Sequence, residues 1–423
     1  MEIITLKNSL RISLQPEKNV HSAAMCIYVA AGNRNESPEN MGISHFIEHM
    51  VFKGTKNRSS AEIADLTDML GGNINAFTAK DNTCYYARAL YNRVPLMLEI
   101  LCDMVCNPLF DSHDIETEKG VILEEIGMYE DNGEDLCADL LNELVWKGNP
   151  LSYNILGARK TVEAISSQQL REYTEKYYTP GRMVISICGR YDKAQVLEVI
   201  ERFFGDITTD EIPEDASSDM FCSGISLTEK PMEQTHISYA FDGIPLGSED
   251  RFLIAVLSMI AGGGASSRLN RKIREEMGLA YCVYSYHSSY LGGGMFGVQA
   301  ALSADNQEVF LEKSLEILLS LKNGISEDEL IRTKEQFKAG TVMGSESVSG
   351  IAQSMGRQLL MQNEYLSVDD ALILIDKITT EDVNKLANRL ITPEHFALCV
   401  VGEPRSKKFY QNIFKKFEGC DGK

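Results

Sequence analysis

Ile165-Ser166-Ser167-Gln168-Gln169-Leu170 opens a helical stretch that stops at Thr179-Pro180, and Met183-Val184-Ile185-Ser186-Ile187-Cys188 then runs as an apolar strand to Gly189. The same order returns at an offset of 213 residues. Ile378-Thr379-Thr380-Glu381-Asp382-Val383 opens it, Thr392-Pro393 stops it, and Phe396-Ala397-Leu398-Cys399-Val400-Val401 runs to Gly402. The Ile, the Thr-Pro pair and the Gly match without a gap. Each piece has a physical reading: Ser or Thr caps a helix, Pro ends it, an apolar run makes a buried strand, and Gly closes the strand. Recurrence of the whole set predicts two tandem domains of about 210 residues each.

The stretch from Asp206 to Asp219 lies between the copies and is polar, acidic and poor in apolar residues, which marks a linker. Within the first copy, Ser22–Val29 reads as a strand, and residues 60–70 read as a helix capped by Ser59 and ended by Gly71. Residues 73–78 and 83–90 flank Lys80-Asp81-Asn82 as a hairpin. Strands and helices without strict alternation predict an α+β fold, with two homologous α/β-sandwich-type domains.

The net charge is −20, from 61 acidic against 41 basic residues, which argues against a nucleic-acid binder and fits a basic partner or substrate as well as simple solubility. No run of 18 apolar residues predicts a membrane span, and the first ten residues lack a basic segment followed by an apolar one. The 10 cysteines are scattered and several sit in apolar runs, as at Cys26, Cys188 and Cys399, so they read as buried thiols of a reducing compartment such as the cytoplasm. Cys102 and Cys106 are spaced for one helix face, where core residues are the commoner outcome than soft metal ligands.

The chemistry concentrates at His45-Phe46-Ile47-Glu48-His49, an H-x-x-E-H string. Residues four apart share a helix face, so His45 and His49 can address one ion with Glu48 beside them. Two imidazoles and a carboxylate are what a hydrolytic zinc site needs, as ligands and as base. With 7 His in 423 residues, chance yields such a string roughly 0.01 times, which favours the motif over two histidines in ordinary polar contacts. The remaining histidines, His21, His113, His236, His287 and His395, are isolated and read as surface or satisfied side chains. A third ligand is needed, and the acidic helix over residues 115–130 offers one. Glu118 and Glu125 are seven apart and share a face, while Glu124 points about 100° away. One of the pair can bind metal while the other orients a histidine. Taken alone, the same helix reads as a solvated acidic face. The matching region of the second copy, around Leu257-Ser258-Met259-Ile260, contains no His, so one copy alone carries the metal motif.

These residues resemble the pitrilysin and insulinase family of zinc metallopeptidases, and within it the branch of mitochondrial processing peptidase and its bacterial relatives. The resemblance spans nearly the whole chain. It implies one Zn2+ per chain held by His45, His49 and Glu125, with Glu48 as general base and Glu118 as supporting carboxylate. Gly71-Gly72-Asn73-Ile74-Asn75-Ala76-Phe77-Thr78 resembles the family's substrate-pairing edge strand, which puts Asn75, Ala76 and Phe77 at the peptide. In the second copy, Arg274 and Tyr281 match an R-x6-Y pair that stabilises the tetrahedral intermediate. Gly262-Gly263-Gly264 lacks the ending of a phosphate loop and reads as a hinge or tight turn.

The duplication and the acidic stretch divide the chain into a domain over 1–210, a linker over 211–222 and a domain over 223–423; by the resemblance the first is the metal-binding catalytic domain and the last a metal-free domain carrying the Arg/Tyr pair. The resemblance implies a zinc endopeptidase acting on unfolded peptides or presequences, in a homodimer whose active sites are shared between chains. Two other readings fit the same residues: a leader peptidase dedicated to one precursor, and a non-catalytic peptide-binding scaffold of the same fold.

Overall fold

The computed structural model of this chain describes residues 1–208 and 220–420. The linker expected over 211–222 therefore lies, through residue 219, outside the described residues. The described residues form two compact units, one from 1–126, 153–208 and 342–366, the other from 127–152, 220–341 and 367–420.

The first unit contains the strands β1 (Glu2–Thr5), β2 (Arg11–Pro16), β3 (Ser22–Val29), β4 (Asn73–Thr78), β5 (Thr83–Leu90) and β6 (Met183–Gly189), in the order β1-β2-β6-β3-β5-β4. The second contains β7 (Gly224–Glu229), β8 (Thr235–Asp242), β9 (Ala280–Ser289), β10 (Gly294–Leu302) and β11 (Phe396–Gly402), in the order β7-β11-β8-β10-β9. Apart from β1, both sheets share one topology: the last strand in chain order inserts between the first and second, and the third forms an edge. In each, that inserted strand runs parallel to the first (β2–β6, β7–β11) and antiparallel to the second (β3–β6, β8–β11). The fold is α+β in two tandem domains.

The duplicated sequence is this last strand with the helix that leads into it. Ser166 Oγ accepts the Gln169 N–H at 3.3 Å and Thr379 Oγ1 accepts the Asp382 N–H at 3.2 Å, so both helices are capped alike. Gly189 and Gly402 stand at φ of +123° and +122°, a region that disfavours any side chain, which is why the glycine recurs.

Side chains alternate along β3. Ala23, Met25, Ile27 and Val29 enter the main core, while Ala24, Cys26 and Tyr28 enter a second cluster on the other face. That second face is covered by Val348, Ala352, Met355 and Leu359 of the helix Val348–Gln362, which comes from the later half of the sequence. The other unit does the converse. Ala397, Cys399 and Val401 of β11 pack with Cys137, Leu141 and Val145 of the helix Gly133–Val145, from the earlier half. Continuous apolar strands thus follow from burial on both sides.

Close approach in the first unit depends on Gly356. A Cβ there would lie 2.6 Å from Ser186 Oγ and 2.6 Å from the Tyr28 ring. Gly356→Ala is expected to lower stability by about 1–3 kcal/mol through overpacking, read as a shifted urea midpoint. An unchanged midpoint would contradict this packing.

Candidate metal centre

The strand pair β4–β5 forms the hairpin expected from the sequence, with Asn73 opposite Arg88 and Thr78 opposite Thr83. β4 is an edge of its sheet. Its inner residue Ala76 is buried and its outer residue Phe77 is exposed, the ring lying 6.2 Å from that of Tyr86. The Asn75 side-chain oxygen accepts the Ala76 N–H at 2.8 Å.

The helix Ile43–Met50 carries the motif. Ile43, Phe46, Ile47 and Met50 anchor it in the core, which leaves His45, Glu48 and His49 on the remaining arc. The His45 and His49 rings lie 4.5 Å apart. The helix Ser112–Asp131 buries Ile115, Glu118, Ile122 and Ile126, a stripe at helical spacing in which Glu118 occupies a core position. Glu118 is thus not part of a solvated acidic face. Glu125 lies at the margin of the stripe, one residue before Ile126, and its side chain is 31% exposed.

Glu125 Oε2 lies 3.7 Å from His45 Nε2 and 3.6 Å from His49 Nε2. One ligand atom from each of the three residues falls within a mutual 4.8 Å, and this is the single such group among the described residues. A tetrahedral zinc with bonds of about 2.0–2.1 Å places its donors about 3.4 Å apart, so the observed separations fit within a few tenths of an ångström. Burial, and then the neighbouring His49, hold His45 down to about 3, so its imidazole stays neutral with a lone pair to offer. The donor set fits the metal.

The surrounding contacts assign partners to His49 and Glu48. Glu118 Oε1 lies 2.8 Å from His49 Nδ1, which turns His49 Nε2 toward Glu125. Lys53 Nζ lies 2.6 Å from Glu118 Oε2. Glu48 Oε2 accepts the Thr78 hydroxyl at 2.5 Å, and burial pushes the Glu48 carboxyl above its ordinary range despite that bond. Lys53 and Thr78 were not singled out from the sequence. Thr78 is the inner residue after Ile74 and Ala76 in the period-2 pattern of β4, so its direction was readable there. Nothing in the spacing indicated Lys53.

Arg274 and Tyr281 come together in the second unit. Arg274 lies on a π-helical turn, Asn270–Glu276, marked by the bond from Met277 N–H to Lys272 O at 3.1 Å. Its guanidinium carbon stands 5.1 Å over the Tyr281 ring, and Tyr281 is 80% exposed at the start of the edge strand β9. The glycine run before it ends the helix Arg251–Gly262, with Gly263 at its C-cap. Arg268, which follows it, grips Glu329 through Nε at 2.9 Å and a terminal nitrogen at 2.8 Å.

The family description Insulinase (Peptidase family M16) matches residues 11–159, and Peptidase M16 inactive domain matches residues 164–337. The chain belongs to the M16, or insulinase, family of peptidases. It is 37% identical over 398 residues to the uncharacterized zinc protease YmxG of Bacillus subtilis, covering 94% of this chain and 97% of that protein. It is 34% identical over 413 residues to the uncharacterized zinc protease SCO5738 of Streptomyces coelicolor, covering 96% and 90%. A protease from Helicobacter pylori shares the fold, with a TM-score of 0.89 at 20% identity over 95% of this chain and 99% of that one. No helix among the described residues is long and apolar enough to cross a membrane.

The Arg268–Glu329 fork yields a pH test of the segment that carries Arg274. Arg268 holds the Glu329 carboxyl down to about 2, from an ordinary 4.5. A depressed carboxylate stabilises the fold above its unfolded value, and that contribution is lost as pH falls from about 4.5 toward 2. The destabilisation caused by Arg268→Ala should therefore shrink between about pH 7 and pH 3.5 in urea titrations. A pH-independent difference would rule the ion pair out as its source.

Proposed function

We propose that this chain is a zinc-dependent endopeptidase that hydrolyses peptide bonds in unfolded peptides or presequences. The observation that carries the reading is the convergence of His45 Nε2, His49 Nε2 and Glu125 Oε2, with Glu48 on the same helix. Membership of a peptidase family whose relatives are named zinc proteases supports it.

His45, His49 and Glu125 would hold one zinc ion per chain, which would supply Lewis acidity when bound. Glu48 takes the proton of the attacking water and passes it to the leaving amine, a role for which a carboxyl raised by burial is suited. Thr78 fixes Glu48, and Glu118, braced by Lys53, fixes His49. An extended peptide adds to the free edge of β4 at Asn75, Ala76 and Phe77, through main-chain pairing that selects little for side chains. Arg274 and Tyr281 donate to the developing oxyanion.

In this reading residues 1–210 form the metal-binding catalytic domain, 211–222 the linker, and 223–423 a metal-free partner domain. The chain works in the cytoplasm as a homodimer enclosing a chamber, with Arg274 and Tyr281 of one protomer completing the site of the other. Its excess negative charge suits basic peptides.

Glu48→Gln should retain zinc and lose about 10²–10⁴-fold in turnover of a quenched peptide, and turnover near wild type would remove Glu48 from its role. Mixing Glu48→Gln with Arg274→Ala protein should restore about one quarter of wild-type activity, because half the dimers are mixed and each holds one intact site. No recovery despite verified subunit exchange would place both motifs of a site in one chain.

A further inference from the structure

The first turn of the motif helix is clamped by a carboxylate from outside it. Glu36 is 5% exposed. Its Oε2 accepts the Gly42 N–H at 2.8 Å and its Oε1 accepts the Ser44 N–H at 3.0 Å. Asn33 Nδ2 donates to Oε2 at 3.1 Å. Gly42 immediately precedes the helix and Ser44 is its second residue, so the two oxygens take N–H groups that no turn of the helix can satisfy. The next residue is His45.

Glu36 uses both oxygens, on donors two residues apart, and this fixes the rotation of the helix about its axis as well as its start. Ile43, Phe46, Ile47 and Met50, seated in the core, constrain the same rotation from the opposite face of the helix. A second tether acts at the same place: Ser44 Oγ lies 2.9 Å from the buried Tyr173 hydroxyl. Burial pushes the Glu36 carboxyl up, and the bonds from Gly42, Ser44 and Asn33 offset this only in part. A buried carboxylate is an expensive way to start an eight-residue helix when a surface Ser or Asp caps as well, and here that helix also carries His45, Glu48 and His49. Donor convergence within a few tenths of an ångström needs such a constraint.

We propose that Glu36 is a positioning residue of the metal centre: by clamping the Gly42 and Ser44 N–H groups it sets His45 against His49 and Glu125. The inference rests on the zinc reading proposed above. Glu36 touches neither metal nor substrate in this account and acts through the helix alone.

The test measures zinc affinity of the metal-free full-length chain by competition with a chromophoric chelator, for wild type, Glu36→Gln and Gly356→Ala. The glutamine amide offers one acceptor where two are used, so one N–H faces a donor and the turn opens. Glu36→Gln should bind zinc about 10–100-fold more weakly, while KM at saturating zinc stays near wild type. Gly356→Ala destabilises the same unit elsewhere and should keep wild-type zinc affinity despite a lower melting temperature. Undiminished zinc binding by Glu36→Gln overturns this inference alone. Equal losses in Glu36→Gln and Gly356→Ala make the effect one of general stability and also overturn it. Absence of zinc binding by the wild type overturns the metal reading and this inference with it.

Discussion

Water must be excluded from both faces of β3 and of β11, because each strand carries apolar side chains on both. Each half of the sequence has helices enough to cover one face of its own sheet. The other face is closed in each case by a helix that belongs to the other half, Val348–Gln362 over β3 and Gly133–Val145 over β11. Two-sided burial therefore places one helix from each half of the sequence on the sheet of the other half. It also makes the sheet a rigid platform: the main core on one side of β3 seats Phe46 and Ile47 of the motif helix, and the exchanged helix seals the side behind.

On that platform the site's electrostatics have a consistent logic. Glu48, Glu118 and Glu125 gather around two histidines, one of them held neutral by burial, and Lys53 neutralises Glu118. That leaves two carboxylates facing the convergence point, which a divalent cation would compensate. Hydrogen bonds orient two of these side chains and the start of their helix: His49 is held by Glu118, Glu48 by Thr78, and the helix start by Glu36.

Much of this was readable in the residues. The duplicated helix-stop-strand-glycine segment foretold two copies, and the observed sheets share one strand order because the copies are the same unit. The i, i+4 spacing put His45 and His49 on one face, and the spacing of seven paired Glu118 with Glu125. The exchange of covering helices was not readable, since periodicity tells that a strand is buried on both sides but not which segment buries it. Glu118 as a core position was hidden among acidic neighbours; the isoleucines at 115, 122 and 126 were the signal that it lay inward. Glu36 and Lys53 act across loops and between helices, where sequence spacing carries no geometric information.

In the proposed function, His45, His49 and Glu125 hold one zinc ion. The most direct measurement is metal content by inductively coupled plasma mass spectrometry on full-length protein prepared without chelators. About one zinc per wild-type chain is expected, falling to about a tenth or less in Glu125→Ala with the fold retained by circular dichroism. A wild-type chain without zinc, or a Glu125→Ala chain that keeps its full equivalent, would contradict it.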